Sequence, residues 1–283
     1  MMRFRSLCAL TVLLAFYLAA ADYPQRIVSL SPDLTEMVYG VGAFSRVVGV
    51  SNYDTWPPEV AKVPHLGQLH NPSLEKLAAA RPDLVIINNA QAPFLEDTLK
   101  ELGLHVLKTS NRSVEEVYAA IIAIGHATGN DREAAKLVTE TREGLDRVRR
   151  KTSSLPRPRV VMIVNRTPGT LRDLSSATDG SYLADLVEIA GGRIAIARVP
   201  SGYARLSKED LLATNPDIIL DFVHGPKSNL TGDPLDAWRE LPELKAVREH
   251  RVLGVSADYV PHASQRIVQT AELFLRLIHP ELR

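Results

Sequence analysis

The chain has 283 residues, with 33 Lys and Arg against 33 Asp and Glu, so its formal net charge is zero. Apolar residues make up 45% and charged residues 23%, which excludes disorder, a collagen-like repeat and a coiled coil. Without a basic excess there is nothing to neutralise a phosphate backbone, so no nucleic-acid partner is expected.

The first predicted element is a secretory signal peptide over residues 1–21. Arg3 and Arg5 give a positive start, Leu7 to Leu18 is almost wholly apolar, and Ala19-Ala20-Ala21 supplies the small residues that a signal peptidase requires. About a dozen apolar residues cannot span a hydrocarbon core that needs ~20, so cleavage near Ala21 is expected rather than anchoring. Cleavage also removes Cys8, the single cysteine, and a mature chain without disulfides must rely on its core. Cys8 lies near the start of the apolar run and not at the cleavage site, so the protein is not expected to be a lipoprotein. A soluble, monomeric periplasmic protein is the expectation.

The rest of the chain alternates strand and helix, twice. Residues 26–30, 46–50, 83–87 and 104–108 read as strands, and 32–40, 74–80, 93–103 and 113–128 as helices. The run 83–87 is wholly apolar after Asp83, as in strands covered on both faces. The second round places strands at 159–164, 217–222 and 251–255 and helices at 181–190, 207–214 and 264–279. This is the rhythm of an α/β fold with mostly parallel sheets. Between the rounds, residues 131–152 read as one long polar helix: twelve of the 21 residues from Asp131 to Lys151 are charged, leaving a narrow stripe of Leu137, Val138, Leu145 and Val148. At 1.5 Å per residue it measures roughly 33 Å, the width of a small domain. The expected division is a signal peptide (1–21), an N-terminal α/β lobe (22–130), a linking helix (131–153) and a C-terminal α/β lobe (154–283).

An internal repeat supports two lobes built alike. Ser73-Leu-Glu75-Lys-Leu77 followed by Pro82-Asp83 matches Ser207-Lys-Glu209-Asp-Leu211 followed by Pro216-Asp217 in spacing. Each lobe therefore presents one glutamate, Glu75 or Glu209, at an equivalent place.

Motifs for covalent chemistry are missing: there is no nucleophile elbow, phosphate loop, zinc-protease helix or cysteine nucleophile. His65 and His70 lack a third matched ligand for a metal site. The informative residues follow the strands, because ligands of parallel α/β sheets sit beyond the carboxyl ends of the strands. Tyr53 and Trp56 follow strand 46–50, Asn88 follows 83–87, His224 follows 217–222, and Asp258, Tyr259 and His262 follow 251–255. Tyr203 lies in the loop before helix 207–214. Aromatics with polar companions suit a broad, partly apolar ligand held between lobes.

Three segments resemble the iron-chelate and cobalamin periplasmic binding proteins: Arg26-Ile-Val-Ser-Leu-Ser-Pro-Asp-Leu-Thr-Glu36, Val47-Val-Gly-Val-Ser-Asn-Tyr53 with Pro57-Pro58, and Leu74-Glu-Lys-Leu77 with Arg81-Pro-Asp-Leu-Val-Ile86. Leu183-Ala-Asp-Leu-Val-Glu-Ile-Ala-Gly-Gly192, Leu206-Ser-Lys-Glu-Asp-Leu-Leu212 and Ser264-x-Arg266 extend the likeness over nearly all of the mature chain. The resemblance implies two α/β lobes bridged by one long helix, and a substrate-binding subunit of an ABC importer for cobalamin, haem or siderophores. Its vitamin B12-binding branch looks nearest. By that resemblance Tyr53, Tyr203 and Asp258 line the ligand cleft, and Glu75 and Glu209 meet arginines of a permease dimer in the inner membrane. Leu69, Asn88 and His262 depart from that branch, which has tryptophans at the first two places and an arginine at the third. A corrinoid is the expected ligand. Haem or a ferric siderophore is the alternative; for haem, Tyr53, His224, Tyr259 and His262 are candidate axial ligands. No cofactor, no protein-held metal and no catalysis are expected. The contrasting readings are a secreted two-lobed enzyme, which a nucleophile–base pair would support, and a surface interaction module with an empty cleft.

Overall fold

The computed structural model describes residues 23–222 and 235–282. The expected signal peptide and His224 lie outside the described residues.

The N-terminal lobe is built on a four-stranded parallel sheet. In chain order its elements are β1 (Ile27–Ser29), α1 (Pro32–Gly40), β2 (Val47–Val50), a small hairpin of β3 (Gly67–Gln68) and β4 (Asn71–Pro72), α2 (Leu74–Ala80), β5 (Leu84–Asn88), α3 (Ala92–Glu101), β6 (Val106–Thr109) and α4 (Val114–Thr128). The sheet order is β2-β1-β5-β6. Every residue of β5 is buried, as a strand covered by helices on both faces must be.

The long helix α5 (Asp131–Thr152) then leads into the second lobe: β7 (Arg159–Asn165), β8 (Leu174–Ala177), α6 (Tyr182–Ile189), β9 (Arg193–Ile194), β10 (Tyr203–Leu206), α7 (Lys208–Thr214), β11 (Ile218–Phe222), α8 (Lys245–Arg248), β12 (Val252–Val255) and α9 (Ile267–Ile278). Its sheet runs β10-β8-β7-β11-β12, with β9 alongside β7. The architecture is therefore two α/β lobes bridged by one helix.

The repeat read from the sequence is a repeat of structure. Asp83 accepts the Arg26 backbone N–H at 2.8 Å, and the Asp83 N–H donates to the Arg26 carbonyl at 3.0 Å. Asp217 does the same to Arg159, at 2.7 and 2.9 Å. Each aspartate thus ties the residue at the start of one parallel strand (Arg26 just before β1, Arg159 opening β7) to the entry of its neighbour, and fixes the register. Ser73 and Ser207 cap α2 and α7 through their hydroxyls, which places Glu75 and Glu209 at the same second helical position. Both helices also end on a left-handed residue, Arg81 at φ 44 and Asn215 at φ 40.

The observed elements differ from the sequence reading in several places. Strand β6 begins at Val106, two residues late, and α9 begins at Ile267 because residues 264–266 form the turn that reaches the other lobe. The antiparallel strands β8 and β10 stand where no strand was expected. β8 is short, with serine and alanine filling it, and β10 alternates exposed and half-buried residues at the sheet edge, so neither offers an apolar run.

Helix α5 packs on α4 in the first lobe and on α9 in the second. Its buried stripe mixes small residues and threonines with two of the expected aliphatic positions: Ala134, Thr141, Gly144, Leu145, Val148 and Thr152. The threonine hydroxyls are satisfied, Thr141 by the Leu137 carbonyl at 2.7 Å and Thr152 by the Arg149 and Ile189 carbonyls at 3.1 Å. Small residues let the helices approach closely. A Cβ at Gly125 of α4 would lie 2.3 Å from that of Ala134, and one at Gly144 would lie 2.8 Å from both Val268 γ-carbons of α9. Among the described residues no helix is long and apolar enough to cross a membrane.

Gly144→Val should therefore push α5 off α9. A β-branched neighbour cannot swing aside, so the clash should outweigh the helix-propensity gain and cost about 1–3 kcal/mol. Urea denaturation should show a lower midpoint; an unchanged or raised midpoint would refute the close helix contact.

Candidate functional site: the cleft between the lobes

The floor of the cleft is organised around one carboxylate. Glu36 lies in the first turns of α1, just beyond the carboxyl end of β1, and is only 1% exposed. It accepts hydrogen bonds from His262 Nδ1 at 2.8 Å, from Arg266 Nη1 at 2.9 Å and from the Ser264 hydroxyl. Its backbone carbonyl accepts from Gln265 Nε2 at 2.7 Å. All four donors belong to the other lobe. The Arg266 guanidinium also lies 5.0 Å from the ring centres of both Trp56 and Tyr259, one from each lobe. Its Nε donates to Gln269 Oε1 at 3.4 Å, and Asp258 lies 3.9 Å from Nη2. Burial works against charge on His262, but the Glu36 carboxylate outweighs it and holds the imidazole above its usual pKa.

Elsewhere between the lobes, the Asp185 carboxylate of α6 accepts the Val114 N–H at 3.0 Å, capping α4 from across the lobe boundary. The lobes are thus joined by polar contacts at two places.

The two walls of the cleft differ in chemistry. In the N-terminal lobe, Asp33 is buried beside the Ser31 hydroxyl and the Asn111 amide. Burial raises its pKa. Asp54 accepts from the Ser51 hydroxyl at 2.5 Å and the Ser51 N–H at 3.0 Å, and burial pushes it up to about 6. The C-terminal wall is apolar: a cavity of about 250 Å³ is lined by Met162, Tyr182, Leu183, Tyr203, Phe222 and Val260. It lies at the carboxyl ends of β7 and β11, where ligands of parallel sheets bind. Tyr182 is buried and its hydroxyl donates to the Val260 carbonyl at 3.0 Å, which sets its ring as part of the pocket. Burial pushes the Tyr203 hydroxyl up to about 12, so it stays protonated at neutral pH.

The sequence-selected residues divide into three groups. Tyr53 (51% exposed) and Tyr203 (39% exposed) present their rings in the loop after β2 and at the start of β10. Trp56, Asp258, Tyr259 and His262 gather around Arg266 and Glu36, where Trp56 also makes an edge contact with Tyr39 at 4.8 Å. Asn88 is committed to the fold: its side chain accepts from the Ala90 and Gln91 N–H groups and donates to Ser31. Glu75 and Glu209 are exposed and form no ion pair among the described residues. The sequence reading passed over Glu36 as the hub and over Tyr182 and Phe222. The available signal was an acidic pair, Asp33 and Glu36, opening a helix directly after a buried strand.

The chain matches the family model described as periplasmic binding protein over residues 27–259. Over 265 residues it is 29% identical to an uncharacterized ABC transporter substrate-binding lipoprotein of Bacillus subtilis, covering 91% of this chain and 81% of that one. The vitamin B12-binding protein of Vibrio cholerae is 25% identical over 257 residues, with 90% of each chain covered. Among solved structures, a periplasmic heme binding protein from Pseudomonas aeruginosa superimposes with a TM-score of 0.77 at 23% identity, covering 91% of this chain and 93% of that one.

A His262 pKa raised by Glu36 has a definite sign for stability. The contribution is complete below the unfolded-state value near 6.5 and is lost as pH rises through the folded-state value. Wild-type protein should therefore lose stability as pH climbs above 7. Glu36→Gln should lower the His262 pKa in an NMR titration and flatten that slope, at a cost of about 3–5 kcal/mol for stranding Arg266. An unmoved histidine titration would contradict the link.

Proposed function

The chain belongs to the periplasmic binding protein family, and from that membership we propose that it captures a corrinoid between its lobes and hands it to an ABC permease dimer. The coarser statement stands on the family: it is a substrate-binding protein of an ABC importer of the kind that serves vitamin B12, haem and siderophores. Such proteins bind and release; no bond is made or broken. The observation that carries the ligand reading is the aromatic cavity of the C-terminal lobe, floored by Tyr182, Tyr203 and Phe222. A broad, partly apolar macrocycle can bury one face there and meet the polar wall of the other lobe with its amide rim. The name of the Vibrio cholerae relative supports vitamin B12 chemistry. Haem is the second reading, favoured by Tyr53, whose exposed phenol lies in the loop after β2 and is open to a metal.

We place the protein outside the inner membrane, exported by a signal peptide cut near Ala21. The Bacillus subtilis relative is named a lipoprotein; in this chain the position of Cys8 argues for release without a lipid anchor. A monomer meets a dimeric permease through the matched pair Glu75 and Glu209, one on the second residue of each repeated helix. Paired anionic points fix orientation and speed encounter more than they add affinity.

The first test is the absorbance spectrum of purified protein after incubation with cobalamin, haem or a ferric siderophore, followed by desalting. Cobalamin should be retained, and Tyr203→Ala should weaken it by a few kcal/mol in calorimetry. Retention of no coloured ligand would remove the chelate reading. The second test is Glu75→Lys with Glu209→Lys: cargo affinity should hold while uptake into permease-containing vesicles fails. Wild-type uptake by that double variant would end the docking role.

A further inference from the structure

A second recess, of about 520 Å³, is lined by both lobes. Arg112, Ser113 and Glu116 come from the β6–α4 junction; Gly180, Arg198 and Gly202 come from the loops that enter α6 and β10. The loops that line this recess lead straight into the aromatic cavity: Gly202 precedes Tyr203 and Gly180-Ser181 precedes Tyr182. We infer that Arg112 and Arg198 form an oxyanion-recognising rim of the cleft, and that the cargo carries a carboxylate or phosphodiester group on the edge of its macrocycle. This rests on the reading of the protein as a chelate-binding subunit and narrows its ligand.

The arginines are held in place but weakly engaged. Arg112 Nη2 lies 3.6 Å from Glu116 and Arg198 Nε lies 3.8 Å from Asp179. A committed guanidinium–carboxylate pair closes to about 2.7–2.9 Å, so both forks retain donors for another anion. The neighbouring carboxylates are already occupied. Glu116 accepts from the Ser110 hydroxyl and from the Arg112 N–H at 2.8 Å; burial opposes its charge, but the Ser110 bond together with the Arg112 N–H and charge outweighs it and lowers its pKa. Asp185 accepts the Val114 N–H. Asp179 faces water, with its side chain 64% exposed, and competes feebly. Glycine makes the fit on the second lobe. Gly180 sits at φ +87, and a Cβ there would lie 2.7 Å from Arg198 Nε, so the bare backbone lets the guanidinium lie along the loop.

The arrangement has a steric logic. The apolar cavity would seat the body of a macrocycle, and its acidic arm would then fall into the recess where a planar fork waits on each side. Arginine suits this better than lysine because its fork matches a carboxylate or phosphate in two parallel hydrogen bonds. Two arginines from different lobes that share one anion also favour the apposed arrangement of the lobes.

Two sources of the oxyanion are separable with paired probes. Haem carries carboxylates and its dimethyl ester does not; cobalamin carries a phosphodiester and cobinamide does not. Affinities of all four should be measured by absorbance titration for wild-type protein and for Arg112→Ala with Arg198→Ala. Both side chains are more than half exposed, so the double variant should keep its fold, which circular dichroism and an unchanged melting curve check. The expected result is that wild type prefers the acid-bearing member of one pair by tenfold or more. The double variant should lose that preference while its affinity for the acid-free member stays unchanged. The pair that shows the effect identifies the source. Equal wild-type affinity for both members of each pair, or a preference that survives the double variant, would overturn the rim alone. Failure of wild type to bind any of the four would overturn the rim together with the reading of the cargo.

Discussion

The structure turns on a buried carboxylate. Glu36 is the one anion at the base of the cleft to which the second lobe donates three side-chain hydrogen bonds. A desolvated carboxylate is costly unless its lone pairs are filled, and here a serine, a histidine and an arginine fill them. The same donors hold the turn before α9, so the start of that helix, the loop carrying Asp258 and Tyr259, and the stack of Arg266 with Trp56 inherit their positions from Glu36. Glu36 in turn is positioned by Pro32 at the first helical position and by the burial of α1 against β1 and β5. A strand end, a proline and one acid thus fix how two lobes meet.

The lobes share a building plan and diverge at their facing walls. Asp83 and Asp217 tie equivalent strands, Ser73 and Ser207 cap equivalent helices, and left-handed residues close both. Beyond the carboxyl ends of the strands the likeness stops. One lobe fills that space with Asp33, Asp54, Asn88 and Gln91, which bond to nearby serine hydroxyls and to the backbone, although one Asp54 carboxylate oxygen is left without a partner. The other leaves it open and lines it with tyrosine and phenylalanine. Strand order and packing constrain the interior of each sheet, whereas loops past the strand ends are free to take different chemistry. Two walls of opposite character give the cleft a polarity before any ligand enters.

Much of the fold could be read from local pattern. The run of apolar residues in β5 and the charge-dense stretch 131–152 each permit only one economical structure, and the observed β5 and α5 follow them. The edge strands β8 and β10 escaped because their residues pack against neighbours that no local pattern reveals. The cleft was legible in outline for a topological reason: the loops after parallel strands converge whatever their sequence. Its energetics were not. His262 reads from sequence as a ligand-facing residue of the cleft, and only the fold brings Glu36, 226 residues away, to its ring. Asn88 reads as a polar residue poised at a strand end, and the fold spends every hydrogen-bonding group of its side chain on Ser31 and the 90–91 turn.

The bridge between the lobes constrains what selectivity can be made of. A loop hinge lets a protein close by a wide angle and choose its ligand by the fit of the closed state. Helix α5 has no proline within it, and its Gly144 is locked against Val268, so none of the usual causes of a kink is at work there. Glu36 and Asp185 further resist opening, because separating the lobes would leave a buried acid and a helix N-terminus without partners. Discrimination then falls on the cleft lining itself: the shape of the aromatic cavity, the donors and acceptors of the opposite wall, and the charges on its rim. A ligand has to match walls that are already set, which favours rigid macrocycles over flexible molecules that would pay ordering entropy to fit a preformed space.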